Sequence, residues 1–479
     1  MSYLFHGFEI PYQQKIVENI VNELPKADII NDSSIDYSIP NHNVINLSSY
    51  YNKLVNNDVD IIDESSLLPL DAELLEKMSF YEAAIYDLLD RYEFTKGGND
   101  CHKRKNLYLK YLRFVNDLFK KHDITLVFMA NIPHLLLGFT TYGYCKANNI
   151  PVIMWYSTTC VPYKLVGGYL LNDIYNQIPE LEGKNETYSK EEKEYSEYSS
   201  RVHALYEKYM PQEEKIESLV VWDQFMEKTS VLDKIKTKIN NWNNKASDLR
   251  LVDKFRYHYR LHSNKTYLKN NVKPANKDIK YLYFPLHYQP ECTSMPLGGV
   301  YVNQLLVIKM ISSLLPDDVM LYVKPHPNPS RVATKAFYKE IAECRNTLVI
   351  GSNVSTYDLM DNALATITLT GTAAIESIIR QRPVLMFGYF YYQYAPGVYH
   401  VKTIEECKKA LDVVLKNIKV DKNQVLNFLS RMDDFIIDGY LDDNFKTVLP
   451  KGFTQEENIE NLSKGFIDYL KKIGIISKK

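Results

Sequence analysis

Three short polar clusters in the C-terminal half each follow an apolar run and precede a helical pattern, a position from which side chains can handle phosphate or sugar. The first is Val323-Lys324-Pro325-His326-Pro327. The run before it reads as a buried strand, and the two prolines stop both sheet pairing and helix. A cation and an imidazole on that stiffened backbone suit a phosphate. Lys324 acts as a point charge, and His326 donates to the phosphate or to a leaving oxygen. A proline-rich turn with exposed polar residues is the plainer account of the same five residues.

The second cluster is Thr370-Gly371-Thr372, with Glu376 one helical turn on. Gly371 permits a tight turn, Thr372 can cap the next helix, and backbone N–H groups at that helix start attract an anion. Glu376 can accept from ribose hydroxyls, or simply complement the helix dipole. The third runs from His287 through Gln289 and Glu291 to Gly298-Gly299. Glu291 or His287 can do acid–base work there, and Gln289 can hold a base or sugar. The alternative is a structural loop whose polar residues cap a helix. Taken together the three loops describe a pocket for a nucleotide mono- or diphosphate carrying a sugar.

The elements that must position these residues are legible as alternation. Apolar runs at 280–286, 319–324, 346–350, 364–369 and 383–387 read as strands, with helical patterns at 300–314, 331–344, 372–381 and 403–416 between them. That pattern implies parallel βαβ units in a doubly wound sheet, which binds ligands at the carboxyl ends of its strands. Residues 1–175 repeat the pattern less cleanly, with a helix at 104–121, a strand at 124–130, a helix at 135–148 and a strand at 151–156. There Asn131-Ile132-Pro133-His134 follows a strand in the analogous position, so His134 is a candidate for acceptor binding or proton transfer, or a structural histidine. The expected domains are 1–175, a helical insertion or arm at 176–277, a second α/β domain at 278–455, and a helix at 456–479 able to return to the first domain.

Other groups carry less. Asp58-Val59-Asp60 spells the D-x-D of metal-dependent transferases, but only as three letters in an acidic loop. Asp87, Asp90 and Arg91 read as a helix end with an internal ion pair. No Walker loop, G-x-G-x-x-G or G-x-S-x-G supports a kinase, dehydrogenase or serine hydrolase. The formal charge of −2 gives no basic field for nucleic acid. Cys101, Cys145, Cys160, Cys292, Cys344 and Cys407 have no CxxC spacing, which suits reduced thiols rather than a zinc site. The first 25 residues lack a leader pattern and no apolar run approaches a membrane span, so a cytoplasmic protein, soluble or peripheral, is expected. The 38 tyrosines fit sugar binding and ordinary packing equally well.

At these residues the chain resembles the capsule polysaccharide biosynthesis proteins, which include bacterial transferases of Kdo-type sugars. The resemblance is carried by Pro285 to Glu291 with Gly298-Gly299, then Tyr322-Val-Lys324-Pro-His326-Pro327, Asp358-Leu-Met, Thr370-Gly371-Thr372 with Glu376, and Pro383 to Gly388, over roughly residues 278–400. Asn131 to His134 is a weaker match upstream. The resemblance implies a GT-B arrangement, in which two Rossmann-like domains face across a cleft with the donor in the C-terminal one. It implies transfer without a metal or other cofactor, the nucleotide-sugar being a co-substrate, with His326 near the donor phosphate and Thr372 and Glu376 near the nucleotide. The expected function is glycosyl transfer from a CMP-linked acidic sugar to a surface glycan or glycolipid. A teichoic-acid-type CDP-alditol phosphotransferase and a non-catalytic scaffold of a polysaccharide assembly complex stay open, as does contact with a membrane or such a complex.

Overall fold

The computed structural model describes residues 1–56, 58–89, 101–158, 167–210, 251–327, 333–351, 353–442 and 452–477, with backbone alone for 251–258. Two sheets carry the fold. The first holds β1 (Ser2–His6), β2 (Asp28–Asp32), β3 (Val44–Asn46), β4 (Ile124–Met129), β5 (Val152–Ser157) and β6 (Gly167–Leu171). The second holds β7 (Lys280–Pro285), β8 (Val319–Lys324), β9 (Thr347–Val349), β10 (Ala365–Thr368), β11 (Val384–Met386) and β12 (Val398–His400). A two-residue β13 (Ile437–Asp438) belongs to the first sheet, whose order is β13-β6-β5-β4-β1-β2-β3; the second reads β12-β11-β10-β7-β8-β9.

All pairings in the second sheet are parallel, as its continuous apolar strands require of a sheet covered on both faces. Leu282, Phe284, Leu321, Val323, Ile367 and Leu385 form one of its cores. Tyr281, Tyr283 and Tyr322 point to the other face, with Leu359 and Met360 from the helix Thr356–Asn362. The first sheet is parallel from β3 to β5 and antiparallel at β6 and β13.

The chain leaves the second domain earlier than the expected boundary at 455. Ile437–Asp438 already pairs with Gly167–Gly168, and the helix Gln455–Lys472 packs on Gln13–Glu23 of the first domain. That helix starts with a capping box of Thr454 and Glu457. It then buries Leu462, Phe466 and Leu470 at four-residue spacing. Fully buried side chains of these types each stabilise by about 1.5–3 kcal/mol.

Of the helical insertion or arm expected at 176–277, the described helices fit an insertion packed on the body rather than a projecting arm. The helices Asn185–Lys190 and Ser200–Tyr209 dock on the helix Lys422–Asp433, where the buried Asn427 donates to the carbonyls of Tyr188 and Glu191 and accepts from the Tyr198 hydroxyl. Arg201 bridges Asp433 and Asp438. These helices are built into the body; residues 211–250 lie outside the described residues.

The two domains meet through aromatic rings. Tyr156, near the carboxyl end of β5, lies 5.3 Å from Phe390 in the loop after β11, and Tyr169 lies 5.9 Å from Tyr391. Tyr175 lies 4.9 Å from Tyr389, and Gln177 donates to the Tyr389 carbonyl. The carboxyl end of one sheet therefore abuts a carboxyl-end loop of the other.

Candidate functional site

In the second sheet, β8 and β9 extend to one side of β7, while β10, β11 and β12 extend to the other. The loops after β7 and β10 diverge at this switch point, the position where such sheets open a crevice for ligand. His287 stands at its centre. Its Nε2 accepts from the Leu369 N–H at 3.0 Å and lies 2.9 Å from Thr368 Oγ1. Burial, with His326 as a second influence, pushes its pKa down to about 3. The expectation that His287 takes protons in catalysis is therefore corrected: its basic nitrogen is engaged by the turn it organises. Gly371 completes that turn, donating to Thr368 Oγ1, and a Cβ there would lie 3.0 Å from both the His287 ring and Thr368.

Gln289 is buried, with its Nε2 donating to the Val302 carbonyl and its Oε1 accepting from Gln304. Both ends of the amide thus hold the loop. Glu291 accepts from Thr293 Oγ1 at 3.0 Å and is partly exposed. Thr370 is buried, donating to the Thr293 carbonyl, while its own carbonyl accepts from Tyr392. Thr293 links these loops on either side of the switch point.

Lys324 ends β8 buried, with Nζ donating to the Val354 carbonyl and to Thr356 Oγ1, both at 2.7 Å. Burial pushes its pKa down. The ammonium thus fastens the loop into helix Thr356–Asn362. Lys324→Met is expected to cost about 1–3 kcal/mol in urea unfolding, because the Val354 carbonyl loses its partner. His326 is partly exposed, 5.7 Å from Tyr288 between ring centres, and lines a small pocket with His287, Gln304 and Tyr338.

Thr372 does not cap its helix; its hydroxyl donates to Glu376 Oε1 at 2.7 Å instead. Burial raises the Glu376 pKa, opposed by that hydrogen bond and by the charges of Lys208 and Arg380. Glu376 in turn helps to raise the phenols of Tyr283 and Tyr357, whose main cause is burial. Arg380 lies over the Tyr357 ring at 4.7 Å and pairs with Asp361. Glu376 thus sits beside the β10 loop with the Thr372 hydroxyl donating to it and the charge of Lys208 brought in from Ser200–Tyr209.

In the first sheet β2 and β3 lie to one side of β1, and β4 and β5 to the other, so the switch point falls between β1 and β4. His134 lies in the loop after β4, and its Nδ1 is 2.8 Å from the Ile132 carbonyl. A carbonyl only accepts, so Nδ1 carries the hydrogen, and in the neutral ring Nε2 is the nitrogen with the lone pair. Beside this loop stands a pair absent from the sequence reading: His6 Nδ1 lies 2.6 Å from Asp32 Oδ2. The available signal was the same as in the other loops, an apolar run Tyr3-Leu4-Phe5 ending in His6-Gly7.

Asp58 and Asp60 lie at a 3-10 turn (Val59–Ile61), and Asp87 near the end of helix Ala72–Leu89; Asp90 and Arg91 lie outside the described residues. Among the described residues no three metal-ligating side chains cluster, and no helix is long and apolar enough to cross a membrane.

Two doubly wound sheets joined near their carboxyl edges, with polar loops at both switch points, define a two-domain α/β protein of GT-B type. Residues 295–415 match the family model described as "Capsule polysaccharide biosynthesis protein", so the resemblance seen in the loops holds over that segment. The match includes Lys324, His326, Thr370, Gly371, Thr372 and Glu376, and begins after Glu291. No curated protein matches the chain. Solved structures similar to it include the Thermosulfurimonas dismutans KpsC, a beta Kdo 2,7 transferase, at 12% identity and TM-score 0.32 over 79% of this chain and 95% of that one. The S. aureus MnaA-UDP co-structure is similar at 10% identity and TM-score 0.25, over 100% and 98%. WaaG, a glycosyltransferase involved in lipopolysaccharide biosynthesis, is similar at 12% and TM-score 0.22, over 97% and 99%. The fold assignment rests on the sheet order itself.

Proposed function

We propose that the protein is a glycosyltransferase of capsule or other surface polysaccharide synthesis. It takes a nucleotide-activated sugar, a CMP-linked acidic sugar, to a glycan or lipid-linked acceptor at the cytoplasmic side of the membrane. The observation carrying this reading is the facing of the two carboxyl edges, with His326, Thr372 and Glu376 on one and His134 on the other. The nucleotide-sugar lies over the β8 and β10 loops. His326 stabilises charge on the departing phosphate, and Glu376 accepts from the nucleotide's hydroxyls. Glu291 and His134 are the candidates to assist the reacting centre. Transfer proceeds without a metal.

Calorimetric titration of CMP, CDP, UDP and GDP without metal tests the reading. We expect selective binding of CMP that weakens at least tenfold in His326→Ala, whose side chain is partly exposed and whose loss leaves the fold intact. CDP selectivity would move the assignment to phosphoalcohol transfer. Absence of binding by all four would leave a scaffold.

A further inference from the structure

Among the described residues, a histidine–carboxylate pair lies in the first domain, outside the loops the sequence singled out. We propose that His6 is the catalytic base that takes the acceptor's proton, with Asp32 as its positioning residue; this rests on the glycosyl-transfer reading above. His6 is the last residue of β1 and Asp32 the last of β2, so the parallel register brings together side chains 26 positions apart. The pair stands at the carboxyl edge next to the switch point, and the loop bearing His134 begins alongside it, with the Ala130 N–H donating to the His6 carbonyl at 3.0 Å.

The geometry fixes the tautomer. A carboxylate accepts only, so at 2.6 Å Nδ1 carries the hydrogen, and in the neutral ring Nε2 is the nitrogen with the lone pair. Asp32 is 4% exposed in its side chain and His6 14%, so the orienting carboxylate is enclosed while part of the ring reaches the surface. Packing fixes the ring's plane. The Tyr51 ring stands edge-on at 5.6 Å, its hydroxyl donating to Glu9, and a Cβ at Gly138 would come within 2.8 Å of His6 Nε2. That site in the first turn of helix Leu136–Ala147 admits no side chain without displacing the imidazole. Pro133 borders the same spot.

A purely structural account leaves the pair without a task. His6 and Asp32 are already register partners in the ladder, and the Gly7 N–H donates to the Asp32 carbonyl at 2.9 Å. The strand ends are tied by backbone, and an ionisable couple there adds little that an apolar contact does not. His134 has a carbonyl on Nδ1 where His6 has a carboxylate, so His6 is the histidine whose protonated form gains a counter-charge. In the reaction the acceptor O–H proton passes to His6 Nε2 as the acceptor oxygen bonds to the anomeric carbon. The bond from that carbon to the phosphate oxygen breaks, and its electron pair leaves on the nucleotide.

The test uses the full chain, CMP-Kdo and CMP-N-acetylneuraminate as donor probes, and water or a lipid-linked glycan extract as acceptor. His6→Gln can still donate to Asp32 but cannot take a proton at neutral pH. We expect CMP release to fall about 10²–10⁴-fold, with CMP affinity and melting temperature close to the parent's. Asp32→Asn removes the counter-charge facing the ring and leaves the Tyr51 ring, with Glu9 behind it, in place. We expect kcat to fall while KM and CMP affinity stay close to the parent's, a split that a structural strap would not give. An active parent whose His6→Gln variant stays within tenfold would overturn the dyad alone. A parent that neither binds CMP nor releases it from either donor would overturn the transfer reading, and the base with it.

Discussion

Gly168→Ala lowers the stability of the whole protein by several degrees of melting temperature, and by more than any exposed substitution. A Cβ at position 168 would lie 2.4 Å from Trp155 Cζ2 and 2.5 Å from the Tyr156 carbonyl oxygen. Trp155 is 1% exposed and its indole N–H is held by Ser157, so the ring has no free direction in which to retreat. The carbonyl belongs to β5, whose ladder with β6 pairs Ser157 with Gly168. The added methyl must therefore spread two strands or drive Trp155 into a filled core, and overpacking of that kind costs about 1–3 kcal/mol. Because β6 is also the strand that receives β13, the damage extends to the return of the chain into the first domain. Chemical denaturation of the variant beside Gly183→Ala, where a Cβ would meet nothing within 4 Å but the backbone is left-handed, sets crowding against backbone strain. Gly183 has φ +69° and carries a strain cost of about 1 kcal/mol, so a loss at Gly168 no larger than the loss at Gly183 would remove the argument.

The second sheet was legible because its strands are continuous apolar runs that no other period explains. The run at 319–324 matches the observed Val319–Lys324, and 280–286 differs from Lys280–Pro285 by one residue. β12 (Val398–His400) is three partly buried residues, too short to stand out, and β13 is two. β6 begins Gly167-Gly168, a pair that local propensity reads as a turn; Trp155 and Tyr156 press so closely there that only glycine fits. That requirement arises between strands and leaves no local periodicity.

The candidate site divides along the same line. Which loops carry polar residues at the sheet edge is a local property, and the three C-terminal loops and the His134 loop were found by it. Which atoms those residues spend on structure is not. Lys324 fastens Val354 and Thr356, thirty residues on, and Gln289 holds Val302 and Gln304; both look identical in sequence to phosphate- or sugar-binding groups. His6 and Asp32 end two strands absent from the sequence reading, and only the parallel β1–β2 register joins them.

Acid destabilises the protein through the half-buried His287 and His400, starting near pH 6.5. The His287 pKa is pushed down to about 3 and that of His400 to about 4, burial being the main cause in each, with His326 and Lys402 respectively adding to it. Both values lie below the unfolded value of 6.5, so between pH 6.5 and about 3 the unfolded chain binds protons that the folded state refuses. Stability then rises with pH through this window and is lost as pH falls. A fully shielded pair would approach about 1.4 kcal/mol per pH unit per ring; partial exposure of both rings reduces their joint effect at pH 5 to about 2 kcal/mol. Glu376 works the other way, since its raised pKa makes the folded state take up a proton first. The comparison that isolates the histidines is urea unfolding at pH 7 and pH 5 for the parent and for His287→Gln with His400→Phe. Glutamine can still accept from the Leu369 N–H, and phenylalanine keeps the ring beside Tyr389 without the unpaired Nε2. The double variant should lose less stability between the two pH values than the parent does. An identical loss would mean that both rings already protonate freely in the folded state, and the turn at Thr368–Gly371 would then have to be held without the lone pair of His287.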